Sequence, residues 1–220
     1  MSIIYLPNIL LSISRNPVTA LAFPLALGVL SGTPTAKVVR GPWYNNLLFP
    51  PGRVPRQVFP IVWPLLYLSM GYASHIAVKV LDVSVSSSSR SSLTLGVALY
   101  YAQLCMNLAW TPLFFGYKQV GVALIDSILM AGTTLYATKL FDGPTNSRTT
   151  YFLVPYCGWL CFATYLNAGI WWLNSKRTCF YSQYLPSFVI HRDPWERPKT
   201  TLWLHGNALY PWRSTIIKKL

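Results

Sequence analysis

Gln103, Asn107 and Trp110 lie at i, i+4 and i+7 of the apolar stretch QLCMNLAW, which places two amides and an indole on one helix face. In a segment that otherwise avoids water, such a face can do two jobs. It can hydrogen-bond to neighbouring helices, or it can line a cavity of mixed polarity. A second face of this kind runs through PYCGWLCFATYLNAGIWWLN, where Trp159, Phe162, Ala163, Leu166 and Asn167 follow at i, +3, +4, +7 and +8. Asp126 is the one carboxylate inside an apolar run, and an ionisable group there is either functional or a structural cap. Indoles stack and amides bond the edges of flat molecules. No acid–base pair, nucleophile triad or metal cluster accompanies them. Cys157 and Cys161 stand four apart with no His beside them, and with Cys105 they read as small packing residues.

The elements that must position these faces are membrane helices. Of the 220 residues 53% are hydrophobic and only 10% charged, against about 25% charged in soluble domains. Nine tryptophans suit long apolar surfaces with interfacial anchors. Runs near the roughly 20 residues that a bilayer demands occur at about 17–36, 58–80, 93–116, 120–141 and 151–173. The reading is an all-α membrane protein, a five-transmembrane-helix bundle over 17–174. Residues 1–16 precede it, without the basic n-region of a secretory signal. Residues 175–220 follow as a basic tail without sustained period, expected to be loosely ordered or to lie at the membrane interface.

The charge asymmetry sets an orientation. Lys and Arg divide into 5 on one set of connections and 13 on the other, eight of these in the tail. The positive-inside rule then turns the tail and the first connection toward the cytoplasm. The formal net charge of +13 is dispersed beside a membrane, so anionic lipid rather than nucleic acid is the expected partner. On the third run Ala98, Ala102, Cys105 and Ala109 form a stripe of small side chains well over a right angle from the amide face. Such stripes let helices approach closely, here within the bundle or across a dimer.

The segments WYNNL, FPIVWPLLYLSMGYAS, QLCMNLAWTPLFFGYKQVGVALID and VPYCGWLCFATYLNAGIWWLN resemble, in order, the signatures of the translocator protein family, TspO/MBR. The resemblance covers about residues 15–174. It implies a five-helix bundle, often a homodimer, with an internal ligand pocket open toward the first connection. It also implies binding, with possible transport, of tetrapyrroles (porphyrin or haem) or other flat hydrophobic ligands such as sterols, with no cofactor required. Positions that touch porphyrin or synthetic ligands in the family match Asn107, Trp110, Leu129, Trp159, Ala163 and Leu166, and on the first two spans Ala36, Phe59 and Val62. Gln103 shares the Asn107 face and joins that pocket wall.

Light-dependent porphyrin degradation, with Trp110 and Trp159 as the reactive residues, is an alternative that the resemblance carries. A small-solute or ion transporter is a further one. The compartments it implies are the mitochondrial outer membrane or the endoplasmic reticulum. Departures from the family are also visible. Gly52 and Gln57 replace two tryptophans of the first connection, Val54 replaces one of its paired prolines, and Val122 stands where animal members have a tryptophan. The cholesterol motif of animal members is absent around Ala168, Gly169 and Trp172.

Overall fold

The computed structural model describes residues 6–184, with side chains through residue 175. All regular elements among them are helical. A short helix α1 (Asn8–Arg15) leads into α2 (Pro17–Gly32), α3 (Thr35–Val39) and α4 (Pro42–Asn45), and α5 (Phe59–Val83), α6 (Ser87–Thr111), α7 (Val120–Asp142) and α8 (Arg148–Tyr184) follow. Three runs are long and apolar enough to cross a membrane, Pro17–Val39, Arg56–Val83 and Val120–Asp142. Helices α6 and α8 have the length, but the serine-rich start of α6 and the amides, tyrosines and tryptophans of both dilute their apolar character.

The start and stop signals are local. Asn16 caps α2 by accepting from the Val18 N–H at 2.9 Å, and Pro17 occupies the first turn, where its missing N–H costs nothing. Pro112 ends α6, and the chain widens into a π-turn over Pro112–Gly116, closed by Tyr117 N–H donating to the Pro112 carbonyl at 2.9 Å. Helix α8 does not stop at Asn174 as the composition implied but continues to Tyr184. The rest of the expected tail, 185–220, lies outside the described residues.

The long helices close a ring. Helix α2 packs on α5, α5 on α8, α8 on α7, α7 on α6, and α6 returns to α2. Helix α5 also meets α6 and α1. The main core runs along α5 through Leu66, Met70, Ala73, Ala77 and Val78 to Leu93, Val97 and Leu104 of α6 and Tyr156 and Leu160 of α8. Helix α1 was not anticipated. It plugs the end opposite the first connection: Arg15 makes a two-pronged ion pair with Asp82, both contacts at 2.9 Å, which holds the guanidinium pKa above its ordinary value. Beside it, fully buried Ser14 bonds Ser74 and Tyr101.

The structure narrows the reading of the small-residue stripe of α6. Ala98 is half-buried against the main core, but Ala102, Cys105 and Ala109 are exposed, so most of the stripe makes no contact within the bundle. The amide face turned inward, and the opposite side of the same helix therefore faces out. Cys161 is exposed as well, whereas Cys157 is buried.

Close approach of α2 to α5 depends on Gly71. A Cβ there would stand 2.3 Å from the Ala20 carbonyl oxygen of α2, a backbone atom that cannot swing aside. Gly71→Ala should cost about 1–3 kcal/mol of stability, the usual range for overpacking. Gly132→Ala on α7, where nothing lies within 4 Å, should be neutral or stabilising by up to about 1 kcal/mol. Thermal unfolding of both variants in detergent reads the difference; equal midpoints would show that the α2–α5 contact is not tight.

Candidate ligand-binding site

Two aromatic groups and one polar chain occupy the interior, and they are distinct. The polar chain starts at Tyr67 of α5, whose hydroxyl donates to Asn107 Oδ1. Asn107 Nδ2 donates to the Tyr156 hydroxyl at 3.0 Å, Tyr156 donates to Gln103 Oε1 at 2.7 Å, and Gln103 Nε2 donates to the Met70 sulfur at 3.2 Å. Every donor points the same way along the chain, which lets each bond polarise the next. The chain ties α5, α6 and α8 together at three buried polar residues of an apolar core, Gln103 and Asn107 at 2% and 4% exposure and Tyr156 at 0%. Of the two jobs open to the amide face, bonding between helices is the one seen here for both amides.

The first aromatic group lies beside that chain. Trp159 of α8 is ringed by Phe59 at 5.6 Å, Trp63 at 6.4 Å and Phe162 at 5.6 Å between ring centroids, all tilted or edge-on. Trp63 also meets the Tyr67 ring at 5.8 Å, which connects this group to the polar chain. The Trp159 indole N–H is buried and has no hydrogen-bond partner among the described residues. The same holds for one oxygen of Asp126 and for the Asn167 carbonyl oxygen. Asn167 otherwise works structurally, its Nδ2 donating to the Val120 carbonyl at the start of α7 at 3.1 Å.

The second aromatic group closes the end from which the first connection springs. Trp110 stacks on Phe114 at 4.8 Å and 17°, and Phe114 meets Trp43 of α4 edge-on at 5.9 Å. The π-turn supplies this geometry by turning Phe114 inward, 2% exposed, while keeping Trp110 above it. The connection is then pinned on α8. Leu48 donates its N–H to Asn174 Oδ1 at 3.1 Å and accepts from Asn174 Nδ2 at 2.9 Å, so one side chain imitates a strand partner. Pro50 covers Gly169, and Tyr165 donates to the Pro51 carbonyl at 3.0 Å. Gly52 has φ +80°, a left-handed turn that a bulky side chain would strain.

Of the candidate residues, Phe59 and Trp159 are in ring contact, and half-buried Val62 packs against the same core as Trp159. Asn107 reaches the group through Tyr67. Ala163 is half-buried and Leu166 buried on α8. Trp110 belongs to the second group. Ala36 on α3 and Leu129 on α7, the latter 57% exposed, point away from the interior, so the structure does not bring these two to the others. Sequence reasoning missed Trp63, Tyr67 and Tyr156. Their signal was present: Trp63 and Tyr67 stand at i, i+4, and Tyr156 precedes Trp159 by three on the same face. A groove of about 510 Å³ also opens between α7 and α8, lined by Leu135, Lys139, Asp142, Val154 and Cys161 among others, away from Trp159.

A ring of apolar helices around a buried aromatic and amide interior defines a helical integral membrane protein. Comparison with known proteins sharpens that class. Residues 20–173 match the TspO/MBR family, and the chain belongs to it. It is 37% identical over 163 residues to the translocator protein homolog of Schizosaccharomyces pombe, covering 74% of this chain and 94% of that protein. It is 38% identical over 163 residues to the translocator protein of Bos taurus, covering 73% and 92%. The Homo sapiens translocator protein is 37% identical over 172 residues, covering 73% and 95%.

Removing the middle of the polar chain tests its role. Asn107→Ala leaves the Tyr67 hydroxyl without its acceptor and Tyr156 without its donor, and should cost about 0.6–2 kcal/mol, the range of hydrogen bonds between membrane helices. Tyr156→Phe should cost a similar amount, and the double variant less than the sum, because both break one chain. Additive losses in a detergent unfolding cycle would mean that the bonds act separately.

Proposed function

We propose that the chain binds a flat hydrophobic ligand of the tetrapyrrole kind, porphyrin or haem, in a pocket at the Trp159 aromatic group beneath the first connection. The observation that carries this reading is the Trp159 indole N–H. A donor left unpaired inside a membrane protein costs about 1–3 kcal/mol, and a ligand acceptor would relieve that cost. Phe59, Trp63 and Phe162 supply aromatic faces and edges around it, and Ala163 leaves room one turn further along α8. The amides of Gln103 and Asn107 serve the pocket from behind, by fixing Tyr67 and α6. Sterols are flat and apolar too, but offer fewer acceptors for the indole.

The proposal includes five membrane crossings, by α2, α5, α6, α7 and α8, because α6 and α8 have the length of the three strongly apolar runs and pack alongside them. The exposed Ala102, Cys105 and Ala109 edge of α6 is the surface we assign to a homodimer, since small side chains let two copies approach closely. The first connection and the whole tail from residue 175 onward carry most of the basic residues, and we assign both to the cytoplasmic side.

Trp159→Phe keeps most of the ring area and removes the N–H. Affinity for protoporphyrin IX should fall by about 0.5–1.5 kcal/mol for one neutral hydrogen bond, or roughly 2- to 13-fold. The shift of the porphyrin absorbance band on titration into purified protein measures this without relying on tryptophan emission. No saturable binding by the unaltered protein would end the proposal, and unchanged affinity in the variant would remove Trp159 from the site.

A further inference from the structure

The first connection carries Lys37, Arg40, Arg53 and Arg56 and not one carboxylate. Among the described residues the acidic groups lie elsewhere. Asp82 is paired with Arg15 at the opposite end of the bundle, Asp142 stands at the far end of α7, and Asp126 lies within α7. Neither Arg53 nor Arg56 has a carboxylate partner among those residues. Yet both guanidinium groups are held in place. Arg53 lies over the Phe49 ring at 3.5 Å from its centroid and contacts the Tyr44 hydroxyl through Nη2 at 3.4 Å. Arg56 donates from Nη2 to Asn45 Oδ1 at 2.9 Å and from Nη1 to the Val39 carbonyl at 3.3 Å, with Tyr44 at 5.2 Å beneath it.

A guanidinium has five N–H donors. These bonds use one from Arg53 and two from Arg56, all on neutral acceptors, and leave both charges and most donors uncommitted. The aromatic rings orient the groups without neutralising them. Two planar cations held against the same ring, Tyr44, at 5.5 and 5.2 Å from its centroid, offer the forked donors that suit a carboxylate or a pair of carboxylates.

Their ring contacts are to Tyr44 and Phe49, which pack with the second aromatic group, and the chain leads from them to the first. Arg56 opens the short turn Arg56–Val58 that delivers Phe59 onto Trp159. Arg53 follows Pro51 by two residues, and the Pro51 carbonyl accepts from Tyr165 of α8, less than two turns beyond Trp159. We infer that Arg53 and Arg56 form an anion-reading rim over the Trp159 aromatic group, recognising a carboxylate at the edge of a flat hydrophobic ligand whose body lies against Trp159. The inference rests on the binding function proposed above and adds the ligand class: an amphipathic acid rather than a neutral ring system. It also gives a role to a connection that lacks two of its family's tryptophans, because the arginines supply polar recognition at the rim.

The test compares protoporphyrin IX, which carries two carboxylates, with its dimethyl ester, on the full chain in nanodiscs of phosphatidylcholine. The unaltered protein should bind the diacid about 10-fold more tightly than the diester, a modest return for charge-assisted bonds at a partly wet rim. Arg53→Gln with Arg56→Gln should abolish that preference by weakening the diacid alone, about 10-fold, and unchanged diester binding certifies the fold. The Lys pair, Arg53→Lys with Arg56→Lys, should recover part of the preference, since it keeps charge and loses the fork.

Equal binding of both porphyrins by the unaltered protein overturns the inference and leaves the binding proposal standing. Equal losses for both porphyrins in the Gln pair overturn it too, by assigning the arginines to holding the connection. So does a preference seen only in nanodiscs containing phosphatidylserine, which would make lipid headgroups the anion. If the unaltered protein binds neither porphyrin, the binding proposal falls first and this inference with it.

Discussion

Polar groups inside a membrane protein have no water to fall back on, so each must find its partner within the chain, and this constraint sets the centre of the bundle. Here one-way hydrogen bonds run from Tyr67 through Asn107, Tyr156 and Gln103 to Met70. Each link lies between helices, so sliding α6 by one turn against α5 or α8 would break it and strand a buried amide. Apolar contacts alone would tolerate such a slip, because lipid tails and leucine side chains are nearly equivalent surroundings. The relay therefore fixes register, and register places Phe59 and Trp63 around Trp159.

At one end the same logic is met by a side chain bonded to backbone rather than by a relay of side chains. The first connection would leave peptide groups exposed near the membrane, and it meets α8 through the single side chain of Asn174, which satisfies both the N–H and the carbonyl of Leu48. Pro50 and Pro51, which lack N–H donors, lie where the connection is closest to α8, so fewer donors need partners there. The opposite end is closed by α1 with an exposed ion pair and a serine–tyrosine cluster. One end is thus sealed by polar pairing, whereas the other is covered by aromatic rings and unpaired cations.

The helices were legible in the sequence because length and hydropathy bear directly on membrane crossing, and the inward direction of Gln103, Asn107, Leu166 and Asn167 followed from helical spacing alone. Less of the interior was legible. The amides could have faced a cavity or a neighbour, and periodicity cannot distinguish these, because both lie on the same side of the helix. Tyr67 and Tyr156 decide it, and their hydroxyls meet the amides from other helices, 40 and 49 residues away in the chain. Leu129 and Ala36 matched by motif position yet point outward, since a match along the chain fixes a residue's turn but not the rotation of its helix. Helix α1 escaped notice because its eight residues are too short for a spanning run and owe their stability to packing on α5.

The interior divides binding from discrimination. Each amide of the relay already accepts one bond and donates another between helices, so under the proposed function they contribute stiffness rather than recognition. The unpaired group at the aromatic site is a single indole N–H, which can orient a ligand but distinguishes poorly among flat molecules that carry any acceptor. Under the proposed function, selectivity then comes from charge near that site, and on the first connection Arg53 and Arg56 are held by rings and neutral acceptors rather than by carboxylates. A connection is also the part of a fold that changes most readily between relatives. Under the proposed function, changes on that connection would alter which ligand is preferred without disturbing the relay that keeps the bundle in register.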